Sequence, residues 1–567
     1  MTQNQFKNSY YLYESDWKEY VHNNSGARFS TAEEIKKQFS KIDLTKEKIE
    51  HCGIPILVED NFAWVNTADE HTLIAGESGS MKSRAVCKPQ IHLSIKARES
   101  FIVTDVKGEL SSDPSIENAL KSADYEAIYL DFRNFSGDGY NLLEYPTNLY
   151  LSGNKDKAMQ CVKSIISSLM DRYNGTKADP YWADMSKQHI APLICTLMEI
   201  CKEKPEYKKY VNMFSVFNFS DEEATEILSN IIKYKYENTS NNQIQKLKNV
   251  FSAPERTRLS IVSTTSSVLG DFVDFDSMLR MLSCSTFNVR DMYKKPMGIF
   301  IIVPDETTAY KSIIGLIMNN IYEQLIDEFT EKYQGKNKPP RNIYWICDEF
   351  CNIQIEDVAS KISASRSRHH KWFIVVQSLK QLETLYPKDY NTIIGNCHNM
   401  LYLQSSDPQM QQYFSDLVGL TTISSLPKGE PLLPVENLKK LKKGWGYKEA
   451  IFIRGNTVFK TTLPDIDSYI FAKDFINKKS INIHKNKLPS VEAYTPQQFR
   501  EEINKGIIQL PFTYDTVREE KKVVSRLDEL FQEDEDFELS DNVQKELEKK
   551  FDELFGALSD VDEEEEQ

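Results

Sequence analysis

The sequence predicts an α/β protein whose parallel sheet is interrupted by a helical insertion. Three observations lead to this fold class. From about residue 72 to residue 453, short runs rich in Ile, Val and aromatic residues alternate with helical segments. Between about residues 152 and 285 the apolar residues follow a helical period alone. After residue 519 the chain becomes highly charged, which predicts a disordered acidic tail.

Eight short apolar runs are the predicted strands, and polar turns bound most of them. Continuous apolar runs are typical of strands that are covered on both faces, so we expect a buried, mainly parallel sheet. A separate helix is predicted around Thr31–Phe39. The predicted strands are Thr72–Ala75, Ser100–Thr104, Ala127–Leu130, Ile299–Val303, Ile343–Cys347, Trp372–Val376, Met400–Leu403 and Ala450–Ile453.

The change from mixed to purely helical patterning divides the chain. Residues Val162, Ile165, Ile166 and Leu169 illustrate the helical spacing of the insertion. We therefore expect an all-α domain that splits the α/β domain in two. The predicted parts are an N-terminal segment (1–60), the first part of a nucleotide-binding domain (61–150), the all-α domain (151–288), the second part of the nucleotide-binding domain (289–480) and a C-terminal extension (481–567).

Length and charge are those of a large globular protein with an acidic C-terminal segment. The 567 residues correspond to roughly four domain lengths, so we expect at least two lobes. The net charge of −15 comes entirely from residues 527–567, which hold 18 Asp and Glu against 3 Lys. The neutral body is therefore compatible with nucleic-acid binding.

Three interpretations of the acidic tail stay open. In the first, the tail is a disordered extension that only solvates the protein. In the second, it is a docking arm for a basic partner, with Phe531, Phe551 and Phe555 as apolar anchors. In the third, it is a self-inhibitory segment that occupies a basic pore.

Cysteine usage and hydropathy point to a reducing cytosol. The nine cysteines are scattered and form no CxxC pair, so neither a disulfide framework nor a zinc site is indicated. No apolar run approaches the ~18 residues of a membrane-spanning helix. We expect a cytoplasmic protein.

A candidate phosphate-binding loop follows the first predicted strand of the sheet. A loop of this kind needs backbone N–H groups at a helix N-terminus, a lysine for the phosphates and a hydroxyl for magnesium. Gly76, Gly79, Lys82 and Ser83 have the required spacing, but Met81 occupies a position that is usually glycine, and its β-carbon demands a changed path or a costly backbone angle. The alternative is a weakened or merely structural turn. The candidate nucleotide-binding residues are Gly76, Glu77, Ser78, Gly79, Ser80, Met81, Lys82, Ser83 and Arg84.

Two further strand ends carry candidate catalytic groups. Asp348 and Glu349 follow an apolar strand, as in ATPases where the first carboxylate holds magnesium and the second polarises the attacking water. Gln377 ends the next strand and is a candidate γ-phosphate sensor. The structural alternatives are a solvated turn for the carboxylates and a capping amide for Gln377.

A basic cluster lies between these two strand ends. If the protein forms a ring, Arg366 or Arg368 is a candidate trans-acting finger for a neighbour's γ-phosphate, and we slightly prefer Arg366. The alternatives are a solvated helix end and a DNA-facing patch.

These motifs, taken in order, resemble those of the type IV secretion coupling proteins, the TraG-type ATPases of bacterial conjugation. The resemblance runs from about Asn66 to Ser468, and no single block decides it. The blocks are Gly76–Ser83, Val103–Leu110, Asp138–Asn141, Asp179–Trp182, Ile302–Asp305, Asp348–Glu349, Ser365–Arg368, Gln377–Leu379, Ile394–Cys397 and Phe452–Gly455.

The resemblance implies a RecA-like motor domain with an inserted all-α domain, assembled as a homo-hexamer that uses ATP and Mg²⁺. Lys82 and Ser83 would bind phosphate and magnesium, Asp348 would complete the metal site, Glu349 would be the base, and Gln377 the sensor. The cargo would be single-stranded DNA, often bound to a relaxase, and its destination a type IV secretion channel.

This chain departs from many of these relatives in two ways. It shows no transmembrane helices, so we expect a partner protein to hold it at the inner face of the membrane. Met81 puts the rate of hydrolysis in question more than the fold. Two other functions stay open, namely a coupling ATPase for protein effectors only and a non-hydrolysing adaptor.

The motor interpretation depends on a triphosphate bound at the turn that begins at Gly76. We expect Asp348 and Glu349 to close over it from an adjacent strand.

Overall fold

The computed structural model describes most of the chain between residues 27 and 505. The described residues are 27–174, 180–222, 224–225, 227–229, 241–270, 272–305, 310–336, 338–421, 429–475, 478, 488 and 491–505. Chain contacts divide the protein into two units, 1–229 with 239–495 and 230–238 with 496–567. The predicted acidic tail lies outside the described residues.

Sixteen strands are found in the described residues. They are β1 (Ser40–Asp43), β2 (Pro55–Glu59), β3 (Phe62–Val65), β4 (Thr72–Gly76), β5 (Ser100–Asp105), β6 (Glu126–Asp131), β7 (Ser136–Gly137), β8 (Met297–Ile302), β9 (Ile343–Cys347), β10 (His370–Val376), β11 (Asn399–Gln404), β12 (Leu420–Thr421), β13 (Glu430–Pro431), β14 (Lys443–Gly444), β15 (Tyr447–Arg454) and β16 (Thr457–Pro464).

The α-helices of the described residues follow in chain order, the last of them in the second unit. They are α1 (Ala32–Gln38), α2 (Lys88–Lys96), α3 (Pro114–Ser122), α4 (Glu144–Leu151), α5 (Lys155–Asn174), α6 (Pro180–Glu203), α7 (Met213–Asn218), α8 (Asn242–Phe251), α9 (Glu255–Gly270), α10 (Asp276–Ser283), α11 (Lys311–Lys332), α12 (Val358–Ser365), α13 (Leu379–Leu385), α14 (Tyr390–Asn396), α15 (Pro408–Val418), α16 (Val435–Lys439) and α17 (Pro496–Asn504). Shorter helical turns are the π-turn Ser83–Cys87 and the 3₁₀ turns Pro205–Tyr210, Val289–Tyr293, Phe350–Asn352, Arg366–Arg368, Ile466–Ser468 and Lys473–Phe475.

The main sheet of the first unit is mostly parallel, as the sequence predicts. Its strand order is β14-β15-β11-β4-β10-β9-β5-β8-β6-β7, with β16 paired to β15. The seven strands from β11 to β6 run parallel to one another. The predicted strand Ala450–Ile453 is present within β15, but its expected parallel direction was wrong, because β15 pairs antiparallel with β11 and β16. A two-residue turn joins β15 to β16, and only antiparallel strands can be joined so closely.

Aromatic packing fixes the register of the central strands. Trp345 of β9 and Trp372 of β10 are paired across the two strands, and their rings stack at 4.6 Å with an interplanar angle of 6°. Both indoles are buried, and both N–H groups are satisfied, one by His370 Nδ1 and the other by Ser365 Oγ. A one-residue slip would move both rings to the other face of the sheet and leave these donors unpaired.

The segment between the two parts of the sheet is helical. Every described regular element between β7 and β8 is a helix or a 3₁₀ turn. None of the described helices is long and apolar enough to cross a membrane.

The described N-terminal residues form a helix and a small sheet. The predicted first helix is present, and Thr31 and Glu34 close its N-terminus with a capping box. The strands β1, β3 and β2 pair antiparallel in that order, which the sequence analysis did not predict. The turn between β2 and β3 lies at the proposed boundary between residues 60 and 61.

Gly315 of α11 allows a close approach that a side chain would prevent. A Cβ at this position would lie 1.8 Å from the carbonyl oxygen of Gln354, a backbone atom that cannot easily move. We expect Gly315→Ala to lower the free energy of unfolding by about 1–3 kcal/mol, the usual cost of overpacking. Thermal unfolding followed by circular dichroism measures this change.

Gly395 of α14 offers the matched control, because a Cβ there meets nothing within 4 Å. Gly395→Ala should leave the midpoint unchanged or raise it, since alanine is the better helix former. Equal effects of the two substitutions would contradict the packing argument.

Candidate active site

The phosphate-binding loop leaves the centre of the sheet. Strand β4 is fully buried and ends at Gly76, the loop follows, and the helical turn that begins at Ser83 leads into α2. A Cβ on Gly76 would lie 2.5 Å from Ser80 Oγ, so any larger residue at this point would require the buried Ser80 side chain to shift. Gly79 has a φ of +78°. The backbone thus forms the tight turn onto a helical N-terminus that phosphate binding requires.

Met81 adopts the costly backbone angle, which is one of the two outcomes that the sequence analysis left open. Its φ is +69°, in the left-handed region that residues with a β-carbon rarely occupy. The side chain is 9% exposed and belongs to the hydrophobic core, together with Ile74 and Ala85. Its position in this core explains how the strained backbone persists, because burial of the methionine offsets the backbone cost.

Lys82 is folded back onto its own loop. Its Nζ donates to the carbonyl oxygens of Gly76, at 2.7 Å, and Glu77, at 2.9 Å. Burial lowers the pKa of this amine, while the carboxylates of Asp348 and Glu349 act in the opposite direction. The ammonium group therefore lies inside the loop, where phosphate oxygens could replace the two carbonyls.

Ser83 joins the loop to the predicted metal-binding carboxylate. Its hydroxyl donates to Asp348 Oδ2 at 2.8 Å across 265 residues of sequence. Burial raises the pKa of the Asp348 carboxyl to about 6, the Ser83 hydrogen bond lowers it, and the neighbouring Glu349 raises it. The structure thus brings together the two groups that the sequence assigns to magnesium.

The expected strand arrangement was wrong in one respect. Asp348 and Glu349 follow β9, which is not adjacent to β4, because β10 lies between them. The contact still forms because parallel strands end at one edge of the sheet and Ser83 lies beyond the end of β4, on the turn that leads into α2. Gln377, at the end of β10, therefore lies on the strand between the two motifs.

Glu349 is held by three polar groups. Its Oε1 accepts from Gln377 Nε2 at 2.8 Å and lies 3.6 Å from Lys107 Nζ, and its Oε2 accepts from Asn352 Nδ2 at 2.8 Å. The backbone of Glu349 has a φ of +52°. A strained residue whose side chain is fixed by three partners at a strand end is typical of a functional position.

The remaining loop residues have different surroundings. Glu77 Oε2 accepts from the Ser406 N–H, Ser78 is exposed, and Ser80 is buried. Arg84 makes a bidentate contact with Asp465, at 2.9 and 2.6 Å, and a further contact with Asp467 at 2.6 Å. The pKa of Arg84 is raised, chiefly by the hydrogen bonds to Asp465. The guanidinium of Arg84 thus binds two aspartates of its own chain.

Arg366 and Arg368 lie at the other edge of the sheet. They precede β10, whereas Gln377 follows it, so the length of that strand, roughly 20 Å, separates them from the phosphate loop of the same chain. Arg366 Nη1 is 3.2 Å from His398 Nε2, and Arg368 Nη1 donates to the Ala364 carbonyl. The fold does not bring either arginine to the site of its own chain.

Three contacts at the site were not assigned from sequence. Lys107 faces Glu349, Asn352 binds Glu349, and Lys443 Nζ donates to the Gly79 carbonyl oxygen at 2.9 Å. Lys107 lies in the block Val103–Leu110, one of those that carry the family resemblance, so the sequence offered a signal that this residue belongs to the site. Lys443 gave no signal, because it lies 364 residues from Gly79 in the sequence.

The donor set fits a magnesium-bound triphosphate. Within the described residues, Ser80 Oγ and Asp348 Oδ1 are buried without a hydrogen-bond partner. No group of three or more His, Cys, Asp or Glu side chains in the described part of the chain could hold a metal ion. Ser83 and Asp348 would supply two protein ligands, which suits Mg²⁺, since this ion keeps water and phosphate oxygens in its sphere.

Comparison with known proteins identifies the family of this chain and solved structures with a similar fold. The model of the family described as Type IV secretory system Conjugative DNA transfer matches residues 28–428. Among solved structures, the bacterial conjugative coupling protein TrwBdeltaN70 in complex with sulphate has a TM-score of 0.54 at 14% identity, over 79% of this chain and 94% of its own. TrwB in complex with the ATP analogue ADPNP has a TM-score of 0.53 at 15% identity, over 84% and 98% of the two chains. TrwB in complex with ADP and Mg²⁺ has a TM-score of 0.53 at 14% identity, over 83% and 96%.

No curated protein matches the chain. At these identities the solved structures show the fold alone, which is mixed α/β with a mostly parallel sheet, and this part of the prediction is confirmed.

The backbone of Met81 generates a stability prediction. Alanine keeps the β-carbon that a φ of +69° disfavours, at a cost of about 1 kcal/mol, whereas glycine removes it. Both substitutions lose the buried methionine side chain. We therefore expect Met81→Gly to unfold at a temperature equal to or above that of Met81→Ala, and differential scanning calorimetry measures both midpoints.

Met410 is the matched control, since it is a fully buried methionine within helix α15. There the usual order should hold, with Met410→Gly less stable than Met410→Ala. A Met81→Gly protein that melts below Met81→Ala would contradict the assignment of strain.

Proposed function

This chain belongs to the type IV secretory system conjugative DNA transfer family, and we propose that it is an ATP-driven coupling protein. It recruits processed DNA, as a single strand bound to a relaxase, and passes it to a type IV secretion channel. The observation that carries the proposal is the hydrogen bond between Ser83 and Asp348, which joins the phosphate loop to the carboxylate strand.

ATP and Mg²⁺ are the proposed cofactors. The loop from Gly76 to Ser83 would hold the phosphates, and Ser83 with Asp348 would hold the metal ion. The relatives solved with ADPNP and with ADP and Mg²⁺ support this assignment. Bound Mg²⁺ would supply charge neutralisation for transfer of the terminal phosphoryl group.

The chain's own residues then have separate tasks. Lys82 exchanges the carbonyls of Gly76 and Glu77 for phosphate oxygens, which places its positive charge where negative charge develops. Glu349 accepts a proton from the attacking water, and its contacts with Gln377 and Lys107 fix the direction of the carboxylate. Gln377 would sense the γ-phosphate, and its hydrogen bond to Glu349 would link that sensor to the base.

We place the motor in a RecA-like homo-hexamer. In such a ring, Arg366, or else Arg368, completes a neighbour's site as a trans-acting finger. Their position at the edge opposite to the phosphate loop supports a role in trans over one in cis. Loop movements coupled to hydrolysis would then draw the DNA backbone through the ring.

The helical segment between β7 and β8 is proposed to be a separate all-α domain that faces the cytoplasm and helps to choose cargo. The protein would work at the inner face of the cell membrane through partner proteins. A relaxase, secretion-channel components and a membrane anchor are the partners that this role requires.

ATP turnover with and without single-stranded DNA tests the proposal. We expect DNA to stimulate hydrolysis by the full-length protein. Lys82→Ala should weaken ATP binding and abolish turnover, while Glu349→Gln should keep binding and lower turnover by about 100-fold or more, the usual contribution of a general base. A phosphate-release assay and equilibrium binding of ATP give the two readouts.

Lys121→Ala and Glu47→Gln are matched controls, because both residues are exposed and neither lies at the site. Turnover that DNA does not stimulate would favour a coupling ATPase for protein effectors. Binding of ATP without any turnover would favour a non-hydrolysing adaptor, and turnover that survives both site substitutions would overturn the assigned residues.

Mixed assemblies test the trans-acting arginine. We expect Arg366→Ala and Glu349→Gln proteins each to be inactive. When they are mixed at equal amounts before assembly, roughly a quarter of the sites combine an intact base with an intact arginine from the neighbour, so a similar fraction of wild-type turnover should return. The same experiment with Arg368→Ala distinguishes the two arginines. No recovery with either variant would exclude a trans role for this cluster.

A further inference from the structure

A tryptophan lies on the surface beside the phosphate loop. Trp445 is 85% exposed, the highest value among the exposed large hydrophobic residues of the described chain. Tryptophan is usually well buried, as Trp345 and Trp372 are in this protein. An indole this exposed on a two-residue turn is accessible to a ligand.

The turn itself does not need this side chain. Trp445 stands between Gly444 and Gly446, at the tip of the hairpin formed by β14 and β15. A Cβ at Gly444 would lie 2.0 Å from the ring of Tyr447, and Gly446 has a φ of +84°, so hairpin geometry explains both glycines. It gives no reason for the tryptophan between them.

Sheet topology places this tip at the edge that carries the phosphate loop. Strand β15 is antiparallel to β11, and β11 is parallel to β4, so the start of β15 and the end of β4 share one edge. Lys443, two residues before Trp445, donates to the carbonyl of Gly79 at 2.9 Å. The tip thus lies within a few residues' length of the loop.

Hydrogen bonds connect the tip, through Asp465, to the helical turn that follows the phosphate loop. The carbonyl of Gly446 accepts from the Asp465 N–H at 2.9 Å and from Ser468 Oγ at 3.1 Å. The side chain of Asp465 binds Arg84, which directly follows Ser83. The indole is therefore exposed but carried on a backbone that is held from both sides.

We propose that Trp445 is the base-stacking residue of this nucleotide site. The inference rests on the proposed function, because it takes the phosphates to lie in the loop from Gly76 to Ser83. A base linked through its ribose to those phosphates needs a flat apolar surface near the loop, and the indole face supplies one. Stacking uses the π-face that every base has. Trp445 therefore favours a nucleotide over bare polyphosphate, and it does not distinguish adenine from guanine.

Binding of Mg²⁺–ATP, Mg²⁺–GTP and Mg²⁺–tripolyphosphate to the full-length protein tests this inference. We expect Trp445→Ala to weaken both nucleotides about 5- to 30-fold, the factor that corresponds to ~1–2 kcal/mol of base stacking, and to leave tripolyphosphate unchanged. Trp445→Phe should restore most of the nucleotide affinity. Tyr181→Ala is the matched control, since Tyr181 is a half-exposed aromatic residue of helix α6. Isothermal titration calorimetry measures all affinities.

Intrinsic fluorescence gives a second readout that does not depend on turnover. A base that stacks on Trp445 should quench the emission of that indole. Trp64, Trp345 and Trp372 are buried, whereas Trp182 is partly exposed and Trp17 lies outside the described residues, so the loss of the quench in Trp445→Phe is what assigns it to Trp445. ATP should quench the wild-type protein, tripolyphosphate should not, and the quench should disappear in Trp445→Phe even though that variant still binds ATP.

The outcomes separate this inference from the proposed function. If the wild-type protein binds neither ATP nor tripolyphosphate, both fail. If it binds them and Trp445→Ala has no effect on ATP, or weakens ATP and tripolyphosphate equally, the inference fails alone. If Trp445→Ala reduces the binding of a single-stranded oligonucleotide and leaves ATP binding unchanged, the indole serves DNA and the inference is likewise overturned.

Discussion

The site depends on one hydrogen bond, from the hydroxyl of Ser83 to the carboxylate of Asp348. It joins two motifs that are separated by 265 residues and by the strand β10. The contact exists because β4, β10 and β9 are parallel and end at the same edge of the sheet. Asp348 is buried there with one oxygen unpartnered, so a cation at this point would relieve an existing cost of burial.

Two of the eight described non-glycine residues with a positive φ lie at this site. Met81 and Glu349 both have positive φ angles, and each lies next to a residue that the proposed mechanism uses, Lys82 and Asp348 respectively. Such conformations cost of order 1–3 kcal/mol each, so the surrounding structure must stabilise them. Burial in the core does this for Met81, and contacts with Gln377 and Asn352 do it for Glu349. The two strained residues thus adjoin groups to which the proposed mechanism gives the tasks of binding phosphate and metal.

Sequence patterns predicted most of the sheet because its strands are continuous apolar runs. Seven of the eight predicted strands are parallel, and the loop with its strand-end carboxylates was recognisable from residue types at fixed spacing. The small sheet β1-β3-β2 was missed, since β1 is a polar strand of four residues and the short apolar runs of β2 and β3 were not assigned. Strand order, the contact between Lys443 and Gly79, and the engagement of Arg84 by Asp465 depend on tertiary packing, and no local pattern encodes them.

Strand β10 connects the two edges that the proposed ring would use. It runs from His370, which follows the Arg366–Arg368 turn, to Val376, which precedes Gln377, and every one of its residues is buried. At the N-terminal end of β10, His370 contacts Tyr293 and Trp345. In the middle of the strand, Trp372 stacks on Trp345. A strand packed in this way moves as a rigid body, because sliding it would break several buried hydrogen bonds at once. If an arginine of the Arg366–Arg368 turn engages a neighbour's phosphate as proposed, it would therefore be mechanically linked, through β10, to the proposed sensor Gln377 of its own chain.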